Sequence, residues 1–189
     1  MSVLFPVFLK LNGRRVLVVG GGPVAAGKLR ALVDAGARVT VVAPEVVDEI
    51  AAAPVTIERR PFSAGDLDGV WLVVAAATPE VNAAVAACAE PRGIFVNAVD
   101  DVRNASAYLG GVVRRSGVTI AVSTDGAAPA LAGLLREGLD AMLPLDLDAW
   151  MTCAADARRA WIAEGVPMSE RRPRLLDALV DLYPRSQTR

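Results

Sequence analysis

Three consecutive glycines behind a four-residue apolar run constrain this chain more than any other feature. The stretch Val16-Leu17-Val18-Val19-Gly20-Gly21-Gly22-Pro23-Val24-Ala25 reads as a buried β-strand that enters a tight turn and then a helix. Gly20, Gly22 and Ala25 fall in the G-x-G-x-x-G/A spacing of a turn that cradles a dinucleotide pyrophosphate. Gly20 permits the turn. Gly22 carries no Cβ to obstruct a phosphate. Ala25 lets the helix pack closely on the strand. The helix, expected over Pro23–Asp34, would aim its first amides at the phosphates. Pro23 suits the first helical turn, where its missing N–H leaves no bond unmade. A glycine-rich turn without a ligand is the competing reading. The strand before the turn and the helix after it weigh against that reading.

The rest of the first half alternates strand and helix. Strands are expected at Arg15–Val19, Arg38–Val42, Val55–Glu58, Val70–Ala75 and Ile94–Val96. A second helix is expected over Glu80–Glu90, with Thr78 as its N-cap and Pro79 at its first position. Gly36 would close the first helix. Apolar strands interleaved with helices imply an α/β fold with a parallel sheet covered on both faces. Ligands of such a sheet lie beyond the carboxyl ends of its strands. After Gly111 the pattern changes. Val118–Val122 reads as a strand with no βαβ frame around it. Ala130–Leu143 reads as an amphipathic helix carrying Leu131, Leu134, Leu135, Leu139 and Met142, stopped by Pro144. From Asp146 onward the chain reads as helical. Trp150 and Trp161 are its expected packing anchors, and Pro167 and Pro173 its expected breaks.

Composition excludes several classes. The chain has 189 residues, enough for one domain with a small appendage, and is 53% hydrophobic and 22% charged, as in a well-cored protein. A net charge of -1 gives no reason to expect nucleic acid or a membrane surface as partner. The N-terminus lacks a basic region and a long apolar run, so no signal peptide is read there. Cys88 and Cys153 form no motif, and a cytoplasmic location is the default expectation. There is no histidine, so a His-based triad or a His-containing zinc site is impossible. Acid–base chemistry would fall to Asp, Glu, Lys, Tyr or Cys. No metal site is expected.

Four groups could carry chemistry. Pro44 and Glu45 follow the second strand, slightly late for the acid that usually meets an adenosine ribose. They could line that pocket, or end the strand and meet solvent. No basic residue marks a 2′-phosphate site there, which leans towards NAD. Asn97, Asp100 and Asp101 follow the fifth strand. Either aspartate could act as a base or hold a substrate nitrogen, or instead cap a turn. Ser123-Thr124-Asp125-Gly126 could form an anion nest or a helix cap. Arg103, Arg114, Arg115 and Arg136 would suit a polycarboxylate, or be solvated surface residues.

Taken in order, a set of motifs resembles the precorrin-2 dehydrogenase and sirohydrochlorin ferrochelatase family. They are Phe5-Pro-Val-Phe-Leu9 with Gly13-Arg14, Gly20-Gly-Gly-x-Val24-Ala25-x-x-Lys28, Val39-Thr-Val-Val-Ala-Pro44, Ala75-Ala-Ala-Thr78 with Asn82, Val96-Asn-x-Val-Asp100, and Ala121-Val-Ser-Thr124 with Pro129-x-Leu-Ala-x-Leu-Leu-Arg-Glu137. The likeness covers about residues 3–144. It implies a Rossmann-type NAD-binding domain over 1–110, a dimerisation segment over 111–146 and a small helical C-terminal domain over 147–189.

The resemblance further implies NAD at Gly20, Gly22, Pro23, Val24, Ala25, Pro44, Glu45, Ala77 and Thr78. It implies a tetrapyrrole substrate, precorrin-2, oxidised to sirohydrochlorin. Asp100 takes the catalytic position, and Asn97, Arg103, Arg115, Ser123, Thr124 and Arg136 are the substrate-binding candidates. A homodimer is implied, with contacts across a two-fold axis explaining why Val118–Val122 lacks a local βαβ partner. Iron insertion alongside dehydrogenation is one alternative. A non-catalytic NAD(H)-sensing dimer is another. Two places depart from the family pattern. Ala107-Tyr108-Leu109-Gly110 replaces an aromatic–proline stretch, and Asp125 stands where a small residue, usually Gly, is expected.

Overall fold

The computed structural model describes residues 4–183. The chain divides into two compact units, the first running to Leu109 and including Asp125–Ala127, the second comprising Gly110–Thr124 and the chain from Ala128 onward.

The first unit is built on a five-stranded parallel sheet in the order β3-β2-β1-β4-β5, with β1 Arg15–Val19, β2 Arg38–Val42, β3 Thr56–Glu58, β4 Leu72–Ala75 and β5 Phe95–Ala98. Chain order reverses between β1 and β4. This is the parallel sheet expected from the alternation and the Rossmann-type domain implied by the resemblance, with its crevice at that switch point. Alternate residues of each strand feed opposite faces. Leu17, Val19, Val42, Val73, Ala75, Val96 and Ala98 form one core with Val85 and Ala89 of α3, Pro79–Ala89. Val16, Val18, Val39, Val41, Leu72 and Val74 form the other with Ala25, Leu29 and Leu32 of α1, Pro23–Asp34, and Ile50 of α2, Asp48–Ala51. Each fully buried Val or Leu contributes about 1.5–3 kcal/mol, so these two layers dominate the stability of the unit.

Helix α1 ends as its sequence implies. Gly36 takes φ +74°, and the Ala37 N–H bonds back to the Leu32 carbonyl. The outer edge of β5 is closed without a sixth strand. The Ser106 and Ala107 amides both donate to the Val96 carbonyl, and the Val96 amide donates to Ser106 Oγ. An unpaired edge is thereby removed.

The second unit contains a hairpin absent from the sequence reading. β6, Gly111–Arg115, pairs antiparallel with β7, Val118–Val122, through a two-residue turn at Ser116-Gly117. The β7 strand therefore has a local partner, and no exchange between chains is needed to supply one. The arginines at the end of β6 hid its strand pattern. Helix α4, Pro129–Met142, lies on this hairpin, and α5, Leu147–Ala163, packs with α6, Met168–Val180. Pro173 does not break α6. It sits where its missing amide would have met Ser169 in the first turn, so one bond is lost and the helix continues. Trp150 is an anchor of this pair. Its Nε1–H donates to Tyr183 Oη at 2.5 Å, and that hydroxyl donates to the Asp146 carboxylate at 2.9 Å.

Candidate functional site

The glycine turn joins β1 to α1 at the carboxyl edge of the sheet. Each of its three glycines meets a different environment. Gly20 takes φ +122°, and a Cβ there would stand 2.2 Å from the Ala76 carbonyl oxygen. Both facts exclude any other residue. Gly21 has an ordinary φ, but a Cβ would stand 1.8 Å from the Glu45 carbonyl oxygen and 3.0 Å from Ala43 Cβ. The Val47 amide donates to the Gly21 carbonyl at 2.8 Å, so the loop after β2 is stapled onto the turn. Gly22 is different. Nothing lies within 4 Å of its would-be Cβ, and its φ is ordinary. Gly22 is the N-cap of α1 with no side-chain cap. The first amides of α1 therefore keep no side-chain acceptor at the cap, beside open space. That combination fits an external anion.

Gly21 was not singled out by the G-x-G-x-x-A spacing. Its signal was the third glycine in the run, but the reason for it lies 24 residues away in the Glu45 backbone. Pro44 and Glu45 are exposed beside the turn. Val24 is exposed as well, while Ala25 is fully buried against the sheet.

The loop after β4 forms the opposite wall. The Ala76 amide donates to the Val19 carbonyl at 2.8 Å, and the Ala77 amide donates to Asn82 Oδ1 at 3.0 Å. Ala77 and Thr78 are exposed. Thr78 is the N-cap of α3 by position, with Pro79 after it, but makes no side-chain cap to the helix backbone. Its hydroxyl instead reaches Glu80. Together with the Glu80 amide, which is the larger influence, it holds that carboxyl below its ordinary range.

At the end of β5 the structure separates the two aspartates. Asp101 accepts the Asn104 amide at 3.3 Å and the Asn104 side-chain N–H at 2.6 Å. These bonds, the side-chain one foremost, lower its pKa. Asp101 thus takes the turn-capping role. Asp100 stands exposed with φ +57°, a left-handed conformation that few side chains adopt. Such outliers concentrate at working sites.

Asn97 is buried. Its Nδ2–H donates to the Ala107 carbonyl at 3.0 Å, which fixes the amide orientation because a carbonyl can only accept. Oδ1 is left buried without a partner. Arg103 lies exposed in the short helical turn after Asp101. Asp125 and Gly126 both have positive φ, +53° and +77°. Gly126 packs against Val102 and Tyr108, and the Tyr108 hydroxyl donates to the Val102 carbonyl. A left-handed backbone at position 125 suits glycine, the residue that the resemblance leads one to expect there.

Arg115, Ser123, Thr124 and Arg136 belong to the second unit. Thr124 is not itself the N-cap of α4. Ala128 is the N-cap, and Thr124 Oγ1 accepts its amide at 3.2 Å. Arg115 faces α4 from the end of β6, 3.9 Å from Asp140, with Nε and Nη2 buried and unpartnered. Arg136 pairs with its neighbour Glu137 at 2.9 Å. Among the described residues no group of three or more His, Cys, Asp or Glu could hold a metal ion, and no described helix is long and apolar enough to cross a membrane.

Comparison with known proteins agrees with this geometry. An NAD(P)-binding family profile matches residues 7–111. The chain belongs to this NAD(P)-binding family. A second profile, the central segment of sirohaem biosynthesis proteins, matches residues 115–142. The chain is 45% identical over 181 residues to siroheme synthase 1 of Aeromonas salmonicida, covering 92% of this chain and 39% of that one. It is 41% identical over 172 residues to siroheme synthase of Escherichia coli, covering 88% and 38%. The chain thus spans about two fifths of the length of these relatives. Among solved structures it resembles SirC, a precorrin-2 dehydrogenase, with a TM-score of 0.69 and 27% identity over 92% of this chain and 88% of that chain. In this NAD(P)-binding family member, the open face at Gly22 and the uncapped α1 amides fit a nicotinamide dinucleotide.

Proposed function

We propose that this chain is a cytoplasmic NAD-dependent dehydrogenase that oxidises precorrin-2 to sirohydrochlorin. The observation that carries the reading is its likeness to SirC, which extends over nearly the whole of both chains. In the balanced reaction the macrocycle loses two electrons and two protons. NAD+ takes both electrons and one of those protons, and the other proton is released.

When bound, the nicotinamide supplies the electron acceptor. The protein's own residues bind, orient and handle the released proton. The α1 amides and Gly22 would hold the pyrophosphate, with Pro23, Val24 and Ala25 shaping the turn beneath it. Pro44 and Glu45 would line the adenosine side, and Ala77 and Thr78 the wall across the switch point. The segment Ala43–Val47 contains no cation for a 2′-phosphate and does contain the Glu45 carboxylate. That favours NAD over NADP. Asp100 is the proposed proton acceptor, held by its left-handed backbone at the carboxyl end of β5. Within the first unit Asn97 Oδ1 and Arg103 are the proposed substrate contacts; within the second unit, taken by itself, they are Arg115, Ser123, Thr124 and Arg136. Arg115 has the best-motivated role, since its unpartnered donors suit a carboxylate.

A homodimer formed through the second unit belongs to the same proposal. The stripe Leu131, Leu134, Leu135 and Met142 of α4 is exposed, Met142 at 80%. A second copy laid against this stripe would bury it. Iron insertion stays as a second reading because the relatives are siroheme synthases. Iron, as substrate, would meet Asp100 and the macrocycle nitrogens.

The test is anaerobic incubation of the protein with precorrin-2 and NAD, followed by absorbance. NADH and sirohydrochlorin should appear in equal amounts. Asp100→Asn should lose turnover and keep NADH binding. An unchanged tetrapyrrole spectrum with NADH bound would reject the reading in favour of a sensor.

A further inference from the structure

The Asn82 side chain has no place among the proposed ligand contacts, yet it is 4% exposed and bonded to a loop that bears on them. It lies in the first turns of α3, where its own amide donates to the Thr78 carbonyl at 2.9 Å. Its Oδ1 accepts the Ala77 amide at 3.0 Å. That amide and the Ala76 carbonyl belong to one peptide unit. A planar trans peptide points its N–H and C=O in opposite directions. Holding the Ala77 N–H towards Asn82 therefore holds the Ala76 oxygen towards the glycine turn. There it occupies the space that a Cβ on Gly20 would fill, 2.2 Å away. The other end of the Ala76 residue is tied to Val19 at 2.8 Å. So the orientation of the 76–77 peptide rests on one buried side-chain acceptor.

We infer that Asn82 is a positioning residue of the dinucleotide site: by fixing the Ala76–Ala77 peptide against Gly20, it sets the width of the crevice between the glycine turn and the Ala77–Thr78 wall. This rests on the proposal that a nicotinamide dinucleotide binds there. Without the Asn82 acceptor, the Ala77 amide loses the bond that orients it. Its nearest remedy is rotation of the peptide. Rotation swings the Ala76 oxygen off Gly20 and turns an N–H towards the glycine turn. The wall then moves while Asn82 itself touches no ligand. An aspartate at this position keeps an acceptor oxygen in the same place. It adds a negative charge near the positive end of α3, which tolerates it.

The experiment compares Asn82→Leu with Asn82→Asp by NADH fluorescence titration, thermal unfolding and steady-state kinetics. In Asn82→Leu, Kd for NADH and KM for NAD should rise about tenfold, the scale of one lost hydrogen bond. The kcat at saturating NAD should hold within about twofold, because the reacting groups are untouched. Asn82→Asp should restore Kd to within about threefold of the parent, since a charged acceptor holds an amide at least as well. A merely structural role would lower the melting temperature of Asn82→Leu and leave Kd of the folded fraction unchanged. That result overturns the inference. Equal loss of NADH binding in folded Asn82→Asp and Asn82→Leu overturns it too. Should Asn82→Leu not fold, Asn82→Ala against Asn82→Asp reads the same contrast. A parent protein that binds neither NADH nor NADPH would instead reject the underlying cofactor reading.

Discussion

Gly22→Ala and Gly21→Ala should have opposite consequences, although the glycines are neighbours in one run. At Gly22 a methyl group meets nothing within 4 Å, and the backbone, φ -85° and ψ -178°, is open to alanine. Alanine is a poorer N-cap than glycine by about 0.5–1 kcal/mol. It also removes about 0.4–1 kcal/mol of unfolded-chain freedom. The two nearly cancel, so the melting temperature should move by less than about 2 °C. Ligand binding should suffer far more. The methyl group stands where a pyrophosphate would meet the α1 amides. Loss of one charge-assisted bond, about 1.5–3 kcal/mol, weakens NADH by roughly 10- to 150-fold. At Gly21 the methyl group would stand 1.8 Å from the Glu45 carbonyl oxygen, and backbone must move. Overpacking of this kind costs about 1–3 kcal/mol, or about 2–12 °C for a chain of this length. The assay is differential scanning fluorimetry beside an NADH titration on both variants. A Gly22→Ala protein that binds NADH like the parent would refute the pyrophosphate placement. A Gly21→Ala protein as stable as the parent would refute the close approach of the β2 loop.

Three further predictions concern stability. Gly27 lies exposed inside α1 with open space at its Cβ, so Gly27→Ala should raise stability by about 0.5–1 kcal/mol, read by urea unfolding. Ser116 sits at φ +49° in a two-residue hairpin turn before Gly117, so Ser116→Asn should stabilise by about 0.5 kcal/mol, since Asn tolerates this backbone better; unchanged unfolding would count against the turn assignment. Asp66 is held below the ordinary carboxylate range chiefly by Arg60, whose two guanidinium nitrogens reach it at 2.9 and 2.6 Å, with the Ser63 amide at 2.8 Å. Its folded pKa is the lower one, so its stabilisation is complete above the unfolded pKa of about 3.9 and is lost as pH falls through the folded value. Asp66→Asn should therefore flatten the acid limb of a melting-temperature profile below about pH 4 and leave its slope near neutrality unchanged.

The sequence by itself determined the parallel sheet and the place of its crevice. Apolar runs of β-branched residues, a glycine turn after the first of them and Pro at two helix starts are local signals. They act through neighbours along the chain and survive without tertiary contacts. The strand β6 was not legible, because Arg114 and Arg115 break its alternation and its partner lies across a turn. Pro173 read as a break, whereas α6 absorbs one missing bond near its start.

Only the tertiary structure decided which of several plausible residues does what. Asp100 and Asp101 are identical side chains in adjacent positions. Asn104 engages Asp101, and the backbone of Asp100 turns left-handed. Gly21 and Asn82 are required by backbone groups 24 and 5 residues away, one by exclusion and one by a hydrogen bond. Such demands arise from atoms brought together by folding, and no spacing rule along the chain encodes them. The apolar stripe of α4 shows the same division. Its period is plain in the sequence, but only the packing of Ala132 and Val113 inward leaves Leu134 and Met142 on the outside.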